Sequence, residues 1–107
     1  MTVIQQAEIN EIVNIILSSV HALEVYLFGS FANGTENEES DYDFYVVIPD
    51  ESEVREREAI WAIRGAITKQ TRGIDMLVGK QSKFNRRKNY FYSIENEVKE
   101  TGVKLHG

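Results

Sequence analysis

Two aspartates, Asp41 and Asp43, stand two residues apart at the start of a segment rich in strand-forming residues, 42–48. Side chains alternate between the two faces of a strand, so both carboxylates are expected on one face. Carboxylates this close repel each other unless a cation lies between them, and oxygen ligands of this kind favour Mg²⁺ or Mn²⁺. The pair therefore predicts a divalent-metal site. A solvated strand entrance is the alternative interpretation.

A third aspartate, Asp75, lies inside an otherwise apolar run, residues 74–78. Burying a carboxylate in such a strand is costly unless it is paired or bound to a metal. If this strand lies beside the strand of Asp41 and Asp43, three carboxylates share one face of a sheet. Such a set holds two metal ions about 4 Å apart in enzymes that displace phosphoryl or nucleotidyl groups in line. The alternative is that Asp75 caps a helix or pairs with an arginine.

A glycine and a serine, Gly29 and Ser30, follow directly on a short run of strand formers, residues 24–28. Backbone N–H groups at such a turn, together with a hydroxyl, form a site for an anion. Glycine also allows the backbone to approach a phosphate closely. A lone Gly-Ser is an ordinary turn signal. Followed by three well-placed aspartates, it predicts a phosphate-binding turn beside a metal site.

The periodicity of apolar residues predicts the elements that position these side chains. Helices are expected over residues 5–20, 50–69 and most of 81–101, with a helical turn at 31–32, strands over 24–28, 42–48 and 73–78, and a short edge strand over 103–106. This order indicates an α+β domain with helices packed on one mixed sheet. All residues, 1–107, are assigned to that single domain.

Two of the predicted helices carry more specific expectations. For the helix over 50–69, Asp50 or Ser52 is expected to cap the start. Its apolar stripe is expected to be buried, and comprises Val54, Ile60, Trp61, Ile63 and Ile67. Gly102 is expected to end the last helix.

Composition excludes several classes of protein. Cysteine is absent, so there are no disulfides and no thiolate metal sites. No apolar run reaches the roughly 18 residues that a membrane span requires. The N-terminus has neither the positive charge nor the apolar core of a signal peptide, so the expected location is the cytoplasm.

Charge is divided unevenly along the chain. The net charge is -5, yet residues 1–54 contain no Lys or Arg, and all 12 lie in 55–107. An acidic half suits divalent cations, and a basic half suits phosphates or an acidic partner. The basic segment 80–88, followed by three aromatics at 90–92, resembles a binder of single-stranded nucleic acid. The acidic total instead favours a solvated helix face or a protein interface, and argues against nucleic acid.

The motifs together resemble a known family. Segment 29–35, GSFANGT, followed by 40–44, SDYDF, resembles the signature of the DNA polymerase β-like nucleotidyltransferase superfamily. The eleven-residue step from Ser30 to Asp41 fits the family pattern, as does Asp75 on a later strand. More narrowly, the chain resembles the minimal nucleotidyltransferases that occur as antitoxins beside HEPN-domain toxins.

The resemblance implies a role for each motif residue. Gly29 and Ser30 would bind the triphosphate of ATP. Asp41 and Asp43 would ligate both of two Mg²⁺ ions, and Asp75 would ligate the ion that activates the attacking hydroxyl. All three aspartates would thus be catalytic. The implied reaction transfers AMP from ATP to a tyrosine of the HEPN toxin.

One residue departs from the family pattern. The family often has an arginine at the position of Asn33, whereas this chain has no basic residue before Arg55. The metals, backbone N–H groups and a residue from the basic half must therefore neutralise the phosphates. The short chain also leaves little for an acceptor-binding domain. The acceptor is expected on another macromolecule or across a contact between copies.

Two other functions compete with the enzyme. One is a non-catalytic antitoxin that neutralises its partner by forming a complex. The other is an RNA-end nucleotidyltransferase guided by the basic half. The three aspartates favour the enzyme over the first, and the acidic balance and lack of an RNA-binding domain disfavour the second.

Overall fold

A computed structural model describes residues 1–69 and 72–107 as one sheet with helices on both of its faces. The elements are α1 (Val3–Ser19), β1 (Glu24–Phe28), α2 (Ser30–Asn33), β2 (Tyr42–Ile48), α3 (Glu56–Ala66), β3 (Ile74–Lys80), α4 (Gln81–Arg87), α5 (Ile94–Thr101) and β4 (Val103–His106). The α+β class is confirmed, as are the strands and the short helical turn at α2. No helix within these residues is long and apolar enough to cross a bilayer.

The sheet is mixed, as expected. Its strand order is β3-β2-β1-β4. β1 is antiparallel to both of its neighbours, and β3 runs parallel to β2. A parallel pair requires a crossover connection, which α3 supplies. β4 is the short edge strand predicted over 103–106.

The two faces of the sheet are covered by different helices. Alternate residues of β2, such as Phe44 and Val46, pack with buried residues of α1 and α3, including Ile16 and Ile63. The intervening residues of β2 face α4 and α5, and this smaller cluster comprises Phe28, Tyr45, Val47, Phe84 and Val98. β2 is therefore buried on both faces, which explains its nearly continuous run of apolar residues. Phe84, which belongs to the basic segment 80–88, lies in this core.

Helix α3 begins later than predicted. Its N-cap is Arg55, so the expectation that Asp50 or Ser52 caps it is wrong. The Asp50 carboxylate instead accepts a hydrogen bond of 2.9 Å from the backbone N–H of Ser82, in the first turn of α4. The sequence shows a good capping residue but not which helix it serves, because this contact spans 32 positions.

The expected burial of Trp61 is also wrong, since 66% of it is exposed. Ile60 packs against the core while partly buried, and the fully buried residues of α3 are Ala59 and Ile63. Trp61 lies two residues from each, about 200° around the helix, and therefore points to solvent. Val54 precedes the helix and is also exposed, so its expected burial is wrong as well.

The predicted helical stretch 81–101 is divided into α4 and α5. Residues 88–93 separate the two helices, and Tyr92 in this segment has a positive φ of 72°. α5 then ends at Gly102, as expected, whose N–H donates to the carbonyl of Val98 over 2.9 Å.

A buried carboxylate holds this helix pair on the sheet. Glu95 accepts a 2.7 Å hydrogen bond from the Tyr45 hydroxyl and a 3.0 Å bond from Nε of Arg87. Burial alone would raise the pKa of Glu95, but these two hydrogen bonds hold it below its ordinary value. The three residues connect β2, α4 and α5.

Replacing Asp50 with alanine should lower the free energy of unfolding by about 1 kcal/mol, because α4 loses a capping bond. Ser52→Ala should leave stability almost unchanged, since Ser52 only bonds within its own turn. Urea unfolding of both variants measures the difference. Equal effects would contradict this account of the Asp50 contact.

Stability should depend on pH through Glu95. Its pKa is lowered in the folded protein, so its contribution is present above the ordinary value of 4.5 and is lost as the pH falls through the folded pKa. Glu95→Gln should therefore be less stable than wild type at pH 7, with a gap that closes in acid. Glu100→Gln, an exposed change on the same helix, is the control. A gap for Glu95→Gln that does not narrow as the pH falls below 4.5 would contradict the prediction.

Candidate functional site

The carboxylates of Asp43 and Asp75 are brought together by the parallel pairing of β2 and β3. The two residues are direct partners in the register. The pKa of Asp43 is raised to about 7. Burial is the largest cause, followed by a hydrogen bond to Asp75 and by the negative charges of Asp75, Asp41 and Glu97. A hydrogen bond between two carboxyl groups requires a proton on one of them. The site thus carries an electrostatic strain that a bound cation would relieve.

Gly29 borders Asp43 on the side of β1. Phe28, the last residue of β1, pairs with Asp43. A Cβ atom added to Gly29 would overlap the Asp43 carboxylate, and Gly29 has a φ of 75°, which side chains rarely adopt. Only glycine satisfies both conditions. The turn predicted to bind phosphate is therefore in direct contact with a predicted metal ligand.

Asp41 occupies the next position on the same face. Its carboxylate fills the space that a Cβ of Gly73 would need. The backbone N–H of Tyr42 donates to the carbonyl of Gly73 over 2.9 Å, which extends the pairing of the strands by one residue. Asp41 is exposed, and its charge contributes to the raised pKa of Asp43.

Ser30 is the first residue of α2, immediately after Gly29. The hydrogen bonds of this turn begin with the N–H groups of Ala32 and Asn33, which donate to the Gly29 carbonyl over 3.1 and 3.0 Å. The N–H groups of Ser30 and Phe31 precede these bonds. These N–H groups directly follow Gly29, which contacts Asp43, so hydrogen-bond donors for a phosphate stand near the carboxylates. The binding roles of Gly29 and Ser30 stay predictions.

Arg72 is a residue of the site region that the sequence interpretation missed. Its guanidinium donates to the carbonyls of Asn37, Glu38 and Ser40, at 3.3, 3.1 and 2.7 Å. It also lies 5.1 Å from the centre of the Phe31 ring. Arg72 thus fastens the loop before Asp41 to the start of β3. In the sequence, only its position directly before Gly73 and the strand of Asp75 could have indicated that Arg72 lies near the site.

Glu97 of α5 was missed as well. It stands 54 positions from Asp43 in the chain, yet its negative charge helps to raise the pKa of Asp43. Packing of α5 on the sheet brings it near. No local motif in the sequence marks such a residue, because its proximity depends on the docking of a helix.

The donor set suits a hard divalent cation, since it consists of carboxylate oxygens. Asp43 and Asp75 are direct partners in the strand register, and Asp41 stands on the same face. Within residues 1–69 and 72–107, no three potential ligand side chains are already gathered at metal-binding distances. Holding a metal with all three aspartates therefore requires their side chains to rearrange. Their assignment as metal ligands stays a prediction.

Comparison with known proteins assigns the family. The sequence matches the nucleotidyltransferase domain over residues 9–106. The chain belongs to this family. No curated protein matches this nucleotidyltransferase in sequence.

Solved structures share the fold. A provisionally assigned nucleotidyltransferase from Sulfolobus solfataricus is 25% identical, with a TM-score of 0.59 over 88% of this chain and 72% of its own. A toxin–antitoxin structure with AMP-PNP is 20% identical, with a TM-score of 0.64 over 92% of this chain and 72% of its own. A mutant of the toxin–antitoxin MntA-HpeT is 18% identical, with the same TM-score and coverage.

Gly29→Ala should lower the free energy of unfolding by at least about 2 kcal/mol and weaken ATP binding, because it adds a clash with Asp43 to a strained backbone. Gly34 is the reference position. It also has a φ of 75°, but its ψ of 19° lies in the left-handed helical region, whereas Gly29 has a ψ of -153°. Nothing lies within 4 Å of a Cβ added to Gly34.

Gly34→Ala should therefore cost only about 1 kcal/mol, the strain alone. Urea unfolding and calorimetry with Mg²⁺–ATP measure both effects in each variant. Equal losses in stability would show that neither the contact with Asp43 nor the different backbone conformation of Gly29 adds to the cost.

Proposed function

We propose that this nucleotidyltransferase transfers AMP from ATP to a hydroxyl group on a partner protein, with a tyrosine of a HEPN-type toxin as the expected acceptor. In this role it acts as an antitoxin. The observation that carries the proposal is the alignment of Asp43 with Asp75 on adjacent parallel strands, with Gly29 against Asp43. The arrangement combines a carboxylate pair with a turn that lacks side-chain bulk.

Two features support the choice of substrates. Toxin–antitoxin structures, one with AMP-PNP, share the fold over 92% of the chain. Asp75 is also exposed, so a hydroxyl group on the surface of a separate protein can reach it. These points favour ATP as donor and a protein as acceptor.

The residues of the chain would act in a fixed order. Gly29 and the Ser30 hydroxyl bind the triphosphate, with their backbone N–H groups turned toward it. The acceptor oxygen forms a bond to the α-phosphorus, the bond to the β-phosphate oxygen breaks, and pyrophosphate leaves while the hydroxyl proton is released. Asp75 is exposed, so an acceptor hydroxyl can approach it from solvent.

Asp41, Asp43 and Asp75 would hold two Mg²⁺ or Mn²⁺ ions, which would neutralise phosphate charge and lower the pKa of the acceptor hydroxyl. The chain supplies no arginine in the turn, since Asn33 stands there. Arg72 is committed to loop carbonyls. Carboxylate-bound cations therefore matter more to charge balance here than in relatives with a turn arginine.

The direct test is incubation of the protein with ATP labelled at the α-phosphate, Mg²⁺ and the protein encoded by the adjacent gene. Transfer of label to a tyrosine of that protein is the expected result. Complex formation without transfer would instead support a non-catalytic antitoxin. Transfer to RNA ends but not to protein would overturn the choice of acceptor.

Asp41→Asn with Asp43→Asn should abolish the Mg²⁺-dependent part of ATP affinity, because the ligands that hold the triphosphate's metal are lost. Ser30→Ala should weaken ATP binding by about 1.5–3 kcal/mol through loss of one bond to a charged group. Calorimetry with and without Mg²⁺ measures both. Unchanged Mg²⁺-dependent affinity in the double variant would remove the metal assignment.

Asp75→Asn should keep most ATP affinity but lose transfer by several orders of magnitude, since a contact made only in the transition state affects rate more than binding. It should also raise the free energy of unfolding of the metal-free protein by about 1 kcal/mol, because it relieves repulsion with Asp43. Melting temperature and transfer rate are measured on one sample. A destabilised but active variant would end the catalytic assignment of Asp75.

A further inference from the structure

The segment between α4 and α5 exposes three consecutive aromatic side chains. Tyr90, Phe91 and Tyr92 are 51%, 78% and 93% exposed, respectively. We call these three residues the aromatic tip. Phe91 and Tyr92 pack edge to face, with ring centres 4.7 Å apart. Single exposed apolar residues are ordinary on a protein surface, but three adjacent aromatics form a patch of the kind found at interfaces.

The backbone of the aromatic tip is held in one conformation. The N–H groups of Tyr90 and Ser93 donate to the carbonyls of Arg87 and Tyr90, and the Ser93 hydroxyl donates to Arg87. Asn96 donates to the Lys88 carbonyl over 2.8 Å. Tyr92 meanwhile keeps a φ of 72°, which is unfavourable for a residue with a side chain. Local bonds thus stabilise a strained backbone that turns an aromatic ring outward.

The aromatic tip lies on the catalytic side of the sheet. Ile94, the first residue of α5, lines a cavity of about 340 Å³ together with Tyr45 and Leu77. Tyr45 follows Asp43 by two residues on β2, and Leu77 follows Asp75 by two on β3. The cavity is therefore one side-chain step along the same face from the carboxylates. A molecule resting on the aromatic tip would extend over this cavity toward them.

Charge around the aromatic tip indicates the chemistry of its partner. Residues 80–93 contain five basic residues and no acidic one, and two of the five, Lys83 and Arg87, are paired with glutamates outside this segment. Arg86 is exposed and Lys88 half-buried, and both precede the tip closely. An acidic surface with an apolar centre would complement this combination.

A nucleic acid fits less well. Lys83 and Arg87 are paired with Glu56 and Glu95, at 3.3 and 3.0 Å. Few cations therefore remain to follow a phosphate backbone along its length. A protein surface needs only a small apolar centre with a charged rim.

We propose that the aromatic tip is the docking surface for the acceptor protein, which it binds through an acidic patch with an apolar centre. The inference rests on the proposed function for the identity of the partner as acceptor. Docking there would orient the acceptor hydroxyl over the cavity and toward Asp75. The aromatic tip would thereby supply an acceptor-binding surface.

The test uses the full chain with three changes, Tyr90→Ser, Phe91→Ser and Tyr92→Asn, because asparagine tolerates a positive φ. Trp61→Ser is the matched control, since it removes an exposed aromatic from α3 on the opposite face. A second variant, Arg86→Glu with Lys88→Glu, tests the charged rim. Calorimetry measures the affinity of each for the purified protein encoded by the adjacent gene, and separately for Mg²⁺–ATP.

The triple variant should lose about tenfold or more in partner affinity, the loss typical of removing central interface residues. Charge reversal should also weaken binding, more strongly at low salt. Trp61→Ser should bind the partner like wild type, and all variants should bind Mg²⁺–ATP like wild type. Wild-type partner affinity in the triple variant would overturn the proposal, as would failure of wild type to bind this partner.

Two further measurements address other occupants. Light scattering of wild type and triple variant reports self-association, and a labelled twelve-residue oligouridine reports nucleic-acid binding. A wild-type dimer that dissociates in the triple variant, or oligouridine binding lost in it, would overturn a protein-acceptor surface. If the complex forms and the triple variant breaks it, yet no label is transferred, the docking surface stands and the transfer proposal fails.

Discussion

Repulsion between the half-buried carboxylate of Asp43 and the exposed carboxylates beside it is the constraint around which this nucleotidyltransferase domain is arranged. Parallel pairing of β2 with β3 sets Asp43 beside Asp75, and burial together with these like charges raises the pKa of Asp43 to about 7. A structure optimised only for stability would separate them. Their retention on adjacent strands is understandable where cations or a triphosphate with its cations occupy the site.

The rest of the sheet tolerates this strain because both of its faces are well packed. α1 and α3 bury one face of β2, and α4 and α5 bury the other at Tyr45 and Val47. At the end of the second face that carries the site, Asp43 is half-buried and Asp75 is exposed to solvent. Apolar packing on the first face of the sheet, and on the second face next to the site, thus positions the carboxylates without enclosing them.

Two glycines, which have no side chain, are as important to the geometry of the site as the aspartates. Gly29 and Gly73 both lie where a Cβ would overlap a carboxylate, of Asp43 and Asp41 respectively. The two glycines let the backbone approach the aspartates on both sides. On the face of the sheet that carries the site, Glu95 bonds to Tyr45 and Arg87 and so holds α4 and α5 against the sheet. The aromatic tip between these two helices is positioned by the same contacts.

The family, the mixed sheet and the three aspartates with their glycine turn could all be predicted from the sequence, because periodicity and short motifs are local properties. Tertiary contacts decided what local patterns leave open. Asp50 caps α4 rather than α3, and Trp61 is exposed, because a cap or a helix face acquires its partner only when distant elements pack. The approach of Glu97 to Asp43 and the anchoring of the loop by Arg72 likewise depend on contacts between residues more than thirty positions apart, which no short window of sequence encodes.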